Sequence, residues 1–405
     1  MQTSHVDRNH VDVVIIGGGM VGASLAIGLR NTLPESISIA VIEAVALSDD
    51  APAGWQPSYD ARSTALSEGT RRIFEALGVW QHIDQNAEPI TDIHVSDRGH
   101  TGITRIKAEE HRVPALGYVV DNSWLGQILV SAVQERDGID WLCPVSVKEL
   151  TPEESGMIVA LDTGKSLKAE LVILADGGRS GLTRTLGIDI DESQYGQTAI
   201  VTNITPARHH QSVAYERFTD EGPMALLPRH NGDCALVWTM PEALAEERLQ
   251  LVEDDFLAEL QDRFGYRLGR FCKVGERFSY PLSLKQSREQ VRTGLVVLGN
   301  AAHSLHPVAG QGFNLSLRDT QALADVLGAA GQQGQPLGGL DLLLSYVKGR
   351  QQDQHQTIGF SDKVVSLFSN DSLVLAGARN AGLLGMGLLF PVRDWFARQA
   401  MGLNR

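Results

Sequence analysis

Apolar positions at the start of the chain switch period twice within a short span. Val11 to Ile16 is a β-branched run that stops at three glycines, Gly17 to Gly19, and helical spacing then runs from Met20 to Leu33. Ser38 to Ile42 alternates again and ends at Glu43, so this stretch predicts strand, tight turn, helix and strand in one βαβ unit. A polar, proline-bearing loop is expected from Ser48 to Tyr59. The spacing predicts an amphipathic helix over Ser63 to Leu77 with Gly78 as its stop. It predicts another over Asn122 to Arg136, capped by Asp121 and ended by Asp137-Gly138. Between these helices, Thr91 to Val95 and Thr101 to Ala108 flank Ser96-Asp97-Arg98-Gly99-His100 as a hairpin. Three alternating segments from Val145 to Leu174 read as a β-meander.

From Thr198 the character changes. Alternating segments at Thr198 to Ile204, Ser212 to Phe218 and Ala235 to Met240 precede a charged helix from Pro241 to Phe264, which predicts a separate antiparallel sheet carrying a helix. Leu295 to Leu298 reads as a buried strand, and Asn314 to Ala329 as a helix. After the break Gly331-Gln332-Gln333-Gly334-Gln335 come two further helical stretches, Leu340 to about Phe368 and Leu373 to Met401.

Composition narrows the classes. At 405 residues and 43% apolar, the chain can fill two domains that share a large interface. A formal charge of -14 argues against nucleic acid as a partner, since phosphate neutralisation needs a dense Lys/Arg surface. An anionic membrane repels it on average. Cys143, Cys234 and Cys272 lie far apart with no C-x-x-C, which suggests neither a disulfide framework nor a metal site and fits a reducing cytoplasm. The polar N-terminus and the brief run after it are too short for a signal peptide or a membrane span, so the mature chain is expected to start at or near Met1. The apolar stretch from Leu373 to Phe390 is interrupted by Arg379 and Asn380. It reads as a packed helix, with a lipid-chain contact or peripheral membrane face as the alternative.

The chemistry starts at Gly17-Gly18-Gly19-Met20-Val21-Gly22, a G-x-G-x-x-G set between a strand and a helix. Gly17 permits the tight turn, Gly19 lets a pyrophosphate approach the backbone, and Gly22 allows close helix packing. Glu43, at the end of the second strand, can accept from a ribose hydroxyl. These residues predict a dinucleotide site without separating NAD from FAD. Two later segments discriminate: Asp176-Gly177-Gly178-Arg179-Ser180-Gly181 after an apolar strand, and Gly294 to Gly312, where Gly299-Asn300 and Pro307-Val308-Ala309-Gly310-Gln311-Gly312 lead into a helix.

In order and spacing, the three segments resemble the fingerprints of the p-hydroxybenzoate-hydroxylase-like flavoprotein monooxygenases along most of the chain. Ile93 to His100, Tyr215 to Thr219, Gly222 to Pro228 and His306 to Leu315 are similar to the ubiquinone-biosynthesis branch of that family. The resemblance implies an α/β fold: a Rossmann-like FAD-binding domain with an inserted antiparallel-sheet substrate domain and C-terminal helices. The expected partition is 1–80, 110–185 and 285–345 for FAD, 81–109 and 186–284 for substrate, and 346–405 as a helical region.

It also implies the chemistry. NAD(P)H, as NADPH or NADH, reduces FAD, and O2 forms a flavin C4a-hydroperoxide that hydroxylates a polyprenylated phenol, with 2-polyprenyl-6-methoxyphenol attacked at C4 as the nearest match. Another ring carbon, a non-quinone phenol, or a non-catalytic FAD-binding scaffold stay open as alternatives. A pyridine-nucleotide dehydrogenase shares the first motif but needs neither later segment.

The cofactor contacts implied are Gly17, Gly19, Gly22, Glu43, Arg62, Gln127, Asp176, Gly177, Ser180, Gly299, Asn300, Gly310, Gly312 and Asn314. Two of them depart from the family pattern: Asn300 stands where the family has Asp, and Gln127 where many relatives place Arg. On the reacting side stand His306, Pro307, Gly310 and Gln311. His306 is the candidate for a phenol proton relay, with a structural hydrogen bond as its bland alternative. His303 has the same two readings, the other histidines read as surface, and Arg318 and Asp319 read equally well as a solvated helix face. The resemblance suggests a polyprenylphenol substrate and an assembly of quinone-making enzymes. It leaves homo-oligomerisation open and allows at most peripheral membrane contact.

Overall fold

Parallel pairing of strands whose residues are apolar on both faces organises the first sheet. His10–Ile16 pairs in parallel with Ser166–Leu174 on one side and with Ile39–Ile42 on the other. Ile39–Ile42 pairs onward with Ile139–Leu142, and Ser166–Leu174 with Leu295–Val297. Val13 and Ile15 pack into a core shared with the helices Met20–Thr32, Asn122–Gln134 and Gln311–Gln332. Val11, Val14 and Ile16 pack into a second core under the meander Val147–Glu153, Gly156–Leu161 and Ser166–Leu174. Burial on both sides explains why these strands show a continuous apolar run where a half-exposed strand would alternate.

The computed structural model describes residues 9–46, 62–99, 103–305, 310–368, 398 and 401–403, with side chains to 362 in the last long helix. The expected loop at 48–59 and nearly all of the helix at 373–401 lie outside the described residues. Among the described residues no helix is long and apolar enough to cross a membrane.

A nine-stranded sheet forms the second layer. Its central strand, Ile190–Pro206, pairs antiparallel with Phe278–Ser287 and Cys234–Pro241. The sheet continues through Pro223–Pro228 and Val213–Phe218 to the expected hairpin, Asp92–Asp97 with Ile103–Lys107. Alternation assigns its faces. Ile200, Leu226, Leu236 and Trp238 pack beneath Phe256, Leu260 and Phe264 of a helical cover, whereas Val201, Leu227 and Val237 line a cavity on the opposite face.

Four expected helices need correction. Ser63–Ser67 is a strand, and the helix starts only at Glu68 and runs to Ala76. The strand pairs with Gly117–Asp121, which also pairs with Ala87–Ile90, so long-range backbone bonds override the local apolar spacing. Ser67 then caps the helix by accepting from the Thr70 N–H at 3.2 Å. Asp121 occupies the position before Asn122–Gln134 but makes no capping bond. Its carboxylate instead accepts from Ser63 Oγ at 2.6 Å and from Arg229 at 3.0 and 2.6 Å. The charged helix is two, Glu242–Gln250 and Glu253–Phe264, broken where Leu251 and Val252 turn extended. The helix expected from Asn314 begins three residues earlier, at Gln311.

Candidate functional site

The three glycine-bearing segments meet at the C-terminal ends of three adjacent parallel strands, where open α/β sheets bind ligands. Gly17 has φ +105°, and a Cβ there would stand 2.6 Å from the Ala175 carbonyl oxygen. A Cβ at Gly22 would stand 1.9 Å from the Gly17 carbonyl oxygen. Only glycine fits either position. Gly19 is the residue before the helix Met20–Thr32 and offers no side-chain cap, so the first N–H groups and the positive end of the dipole stay available for phosphate. Glu43 is buried, and its carboxylate accepts from the Gly18 N–H at 2.7 Å and the Val45 N–H at 2.8 Å. It is thus fastened to the glycine turn, with lone pairs left for a ribose hydroxyl.

Asp176 acts within its own loop. Its carboxylate accepts from the Gly178 N–H at 3.0 Å and the Ser180 N–H at 2.8 Å, and Ser180 Oγ accepts from the Leu182 N–H at 3.1 Å. Gly177 turns through the left-handed region, with φ +70°. Gly299 also turns left-handed and closes on Val21 in the first turn of the helix. Asn300 beside it is exposed.

Gly310, with φ +60°, sets the start of Gln311–Gln332, and a Cβ there would lie 3.2 Å from Ala65 Cβ. Gln311 is buried, and a Cβ at Gly312 would face Leu305. The buried Asn314 amide has all its hydrogen-bonding capacity engaged inside the chain. It donates to the carbonyls of Ala65 (2.9 Å) and Gly310 (2.7 Å), and accepts from the Ser67 N–H (2.8 Å) and Thr70 Oγ1 (2.6 Å). Its side chain therefore ties the helix start to the strand Ser63–Ser67 rather than reaching outward. Arg62, at the other end of that strand, places its guanidinium 4.6 Å from the Tyr280 ring centre. With Ser63, Val201, Leu227, Val237 and Phe278 it lines a cavity of about 60 Å³. Gln127 is half-buried on Asn122–Gln134. His306 and Pro307 lie outside the described residues.

Several polar residues sit differently from the sequence expectation. Asp319 is wholly buried, with Oδ2 2.7 Å from His303 Nε2 and 3.1 Å from Gln354 Nε2, and Oδ1 2.5 Å from Arg350 Nε. Arg318 pairs with Asp353 at 2.7 Å. The solvated-face reading of Arg318 and Asp319 is therefore wrong: the helix Leu340–Phe368 packs over that side, a long-range contact that local periodicity does not register. Nor are the remaining histidines all on the surface, since His94 and His210 are buried.

Glu216 emerges only in the fold. It lies on Val213–Phe218 opposite Ala225, which is opposite Val237 of the cavity, so it shares the cavity's face of the sheet. Burial pushes its carboxyl up from 4.5 to about 7.

The glycine cradle, the uncapped helix start and the tethered Glu43 fit the pyrophosphate and ribose of FAD. Comparison with known proteins agrees. The FAD binding domain family matches residues 10–361. Ubiquinone hydroxylase UbiL of Rhodospirillum rubrum is 36% identical over 391 residues, covering 96% of this chain and 89% of that protein. The 3-demethoxyubiquinol 3-hydroxylase of Escherichia coli is 29% identical, covering 97% of this chain and 98% of the relative. The crystal structure of p-nitrophenol 4-monooxygenase PnpA from Pseudomonas putida shares the fold, with a TM-score of 0.77 at 17% identity over 98% of this chain and 99% of that one. The chain belongs to the ubiquinone-biosynthesis hydroxylases, FAD-dependent monooxygenases of p-hydroxybenzoate hydroxylase-like fold.

Proposed function

We propose that the chain hydroxylates the aromatic ring of a polyprenylated phenol, 2-polyprenyl-6-methoxyphenol, at C4. The observation that carries this reading is the cavity under Arg62, walled by Val201, Leu227, Val237 and Phe278 together with the polar Ser63, Thr202, Asn203 and Glu276. The five-residue strand Ser63–Ser67 runs from that cavity to the start of Gln311–Gln332, and in this reading the cavity is the substrate side and the helix start the cofactor side. The relatives named for ubiquinone hydroxylation support the substrate class.

When bound and reduced by NADPH or NADH, FAD supplies the activation of O2. The chain's own groups do the rest. Gly17 to Gly22 and the helix behind them hold the pyrophosphate, Glu43 takes a ribose hydroxyl, and Asn300 stands in for the family's Asp at the ribitol. The loop built by Asp176, Gly177 and Ser180 closes the same mouth. Gly310, Gln311 and Gly312 present the positive end of a long helix, which would favour negative charge on a flavin bound there. The apolar walls Val201, Leu227, Val237 and Phe278 exclude water. A phenol is mostly protonated at neutral pH, and its phenolate is the better nucleophile. Glu216, poised near neutrality on the cavity's face, is the group we assign to accept that proton.

The test is mass spectrometry of lipids from a strain lacking this gene, grown in air, with and without the gene restored. A polyprenyl-methoxyphenol lacking the C4 oxygen should accumulate and disappear on complementation. Because the Escherichia coli relative is named for position 3, a precursor blocked at another carbon would move the site of attack within the same chemistry. An unchanged quinone pool contradicts the reading.

A further inference from the structure

The geometry points to a second binding site, for a phosphate-bearing anion, on the face of the nine-stranded sheet turned away from the flavin residues. A cleft of about 620 Å³ opens there, lined by Arg105, Arg208, Arg267, His94, His209 and Asp92 among others. That volume falls within the roughly 300–1,000 Å³ of small-molecule sites.

Its face is fixed by alternation. Tyr215 of the cleft packs edge-on against Phe264 of the helical cover, with ring centres 5.6 Å apart. The next residue back, Ala214, packs on the other side with Ile90, Leu116 and Val119. The Arg62 cavity also lies on that other side, so the two spaces are separated by the sheet.

The chemistry of the cleft is cationic in a chain of net charge -14. Among the described residues none of the three guanidiniums makes an ion pair or side-chain hydrogen bond, and Asp92 is the one acid in the lining. Unpaired guanidiniums gathered around one space match the bidentate oxygens of a phosphate better than a single carboxylate does. The histidines add donors. His94 is buried, and its Nδ1 has no hydrogen-bond partner. Burial, then Arg267 and Arg105, push its imidazole down to about 4, so it is neutral at ordinary pH. His209 Nδ1 accepts from the Gln211 N–H at 2.9 Å, which leaves Nε2 as its N–H donor.

The test uses the FAD-loaded full chain and two probes, inorganic pyrophosphate by calorimetry and phosphatidylglycerol vesicles by flotation. Arg105 and Arg267 are exposed, so Arg105→Ala and Arg267→Ala keep the fold. Each should weaken probe binding about tenfold, the loss expected for one charge-assisted contact, with NAD(P)H oxidation unchanged. Pyrophosphate binding without vesicle binding names a soluble phosphorylated ligand, and vesicle binding lost in the same variants names a lipid headgroup. If neither probe binds in a manner that depends on Arg105 and Arg267, the site does not exist. This inference stands independently of the ring chemistry proposed above.

Discussion

Asp319 holds His303 at 2.7 Å, and His303 lies three residues beyond Asn300, the residue proposed to meet the flavin ribitol. One buried carboxylate thus links that segment to Arg350 on the last long helix. Asp319→Asn removes one of the two carboxylates on Arg350, leaving Asp353 as its remaining partner, and takes the charge from beside His303; it should cost about 2 kcal/mol, the loss expected for charge-assisted hydrogen bonds. Urea unfolding measures the cost, and fluorescence titration should show weaker FAD binding. Unchanged stability would mean the network is dispensable.

Asn314→Ala removes four hydrogen bonds at the junction of Gly310, Ala65, Ser67 and Thr70. It should destabilise the protein by about 2 kcal/mol or more, because the buried groups left behind lose their partners. FAD retention should also fall, as the start of Gln311–Gln332 is no longer pinned. Thermal melts of apo and FAD-loaded protein separate the two effects.

Gly22→Ala places a methyl group 1.9 Å from the Gly17 carbonyl oxygen, and the turn must open to admit it. The variant should purify without visible flavin absorbance. A variant that keeps stoichiometric FAD contradicts the placement of the pyrophosphate at this turn.

These dependencies differ in how far they could be read along the chain. Gly17, Gly22 and Glu43 were legible because strand, turn and helix are local and each glycine answers a local steric demand. The strand Ser63–Ser67 was not, since its partner Gly117–Asp121 lies some fifty residues away and decides its state. His303 and Asp319 gave no more than an ambiguous signal for the same reason, as the helix that buries them comes later in the chain. Glu216 stood in a family-like segment, Tyr215 to Thr219, but its role depends on which face of the sheet it takes, and the neighbouring strands fix that.

Glu216→Gln tests the proton-handling assignment. With the carboxyl raised from 4.5 to about 7, the folded state keeps a proton that the unfolded state releases between those values. Native stability therefore falls as pH rises across that window. Glu216→Gln carries no such proton, so it should be more stable than the wild type above pH about 7 and lose that advantage as pH falls to 4.5. Its turnover should drop about 10²-fold and lose the limb that rises near neutrality. An unaltered pH–rate profile removes Glu216 from the reaction.

The central claim is most directly tested by turnover of the purified, FAD-loaded chain with NADPH, isotopically labelled O2 and a short-chain 2-prenyl-6-methoxyphenol. The account predicts NADPH oxidation coupled to one labelled oxygen in the product, bonded at C4. NADPH oxidation without labelled product, or no flavin reduction in the presence of the phenol, would contradict it.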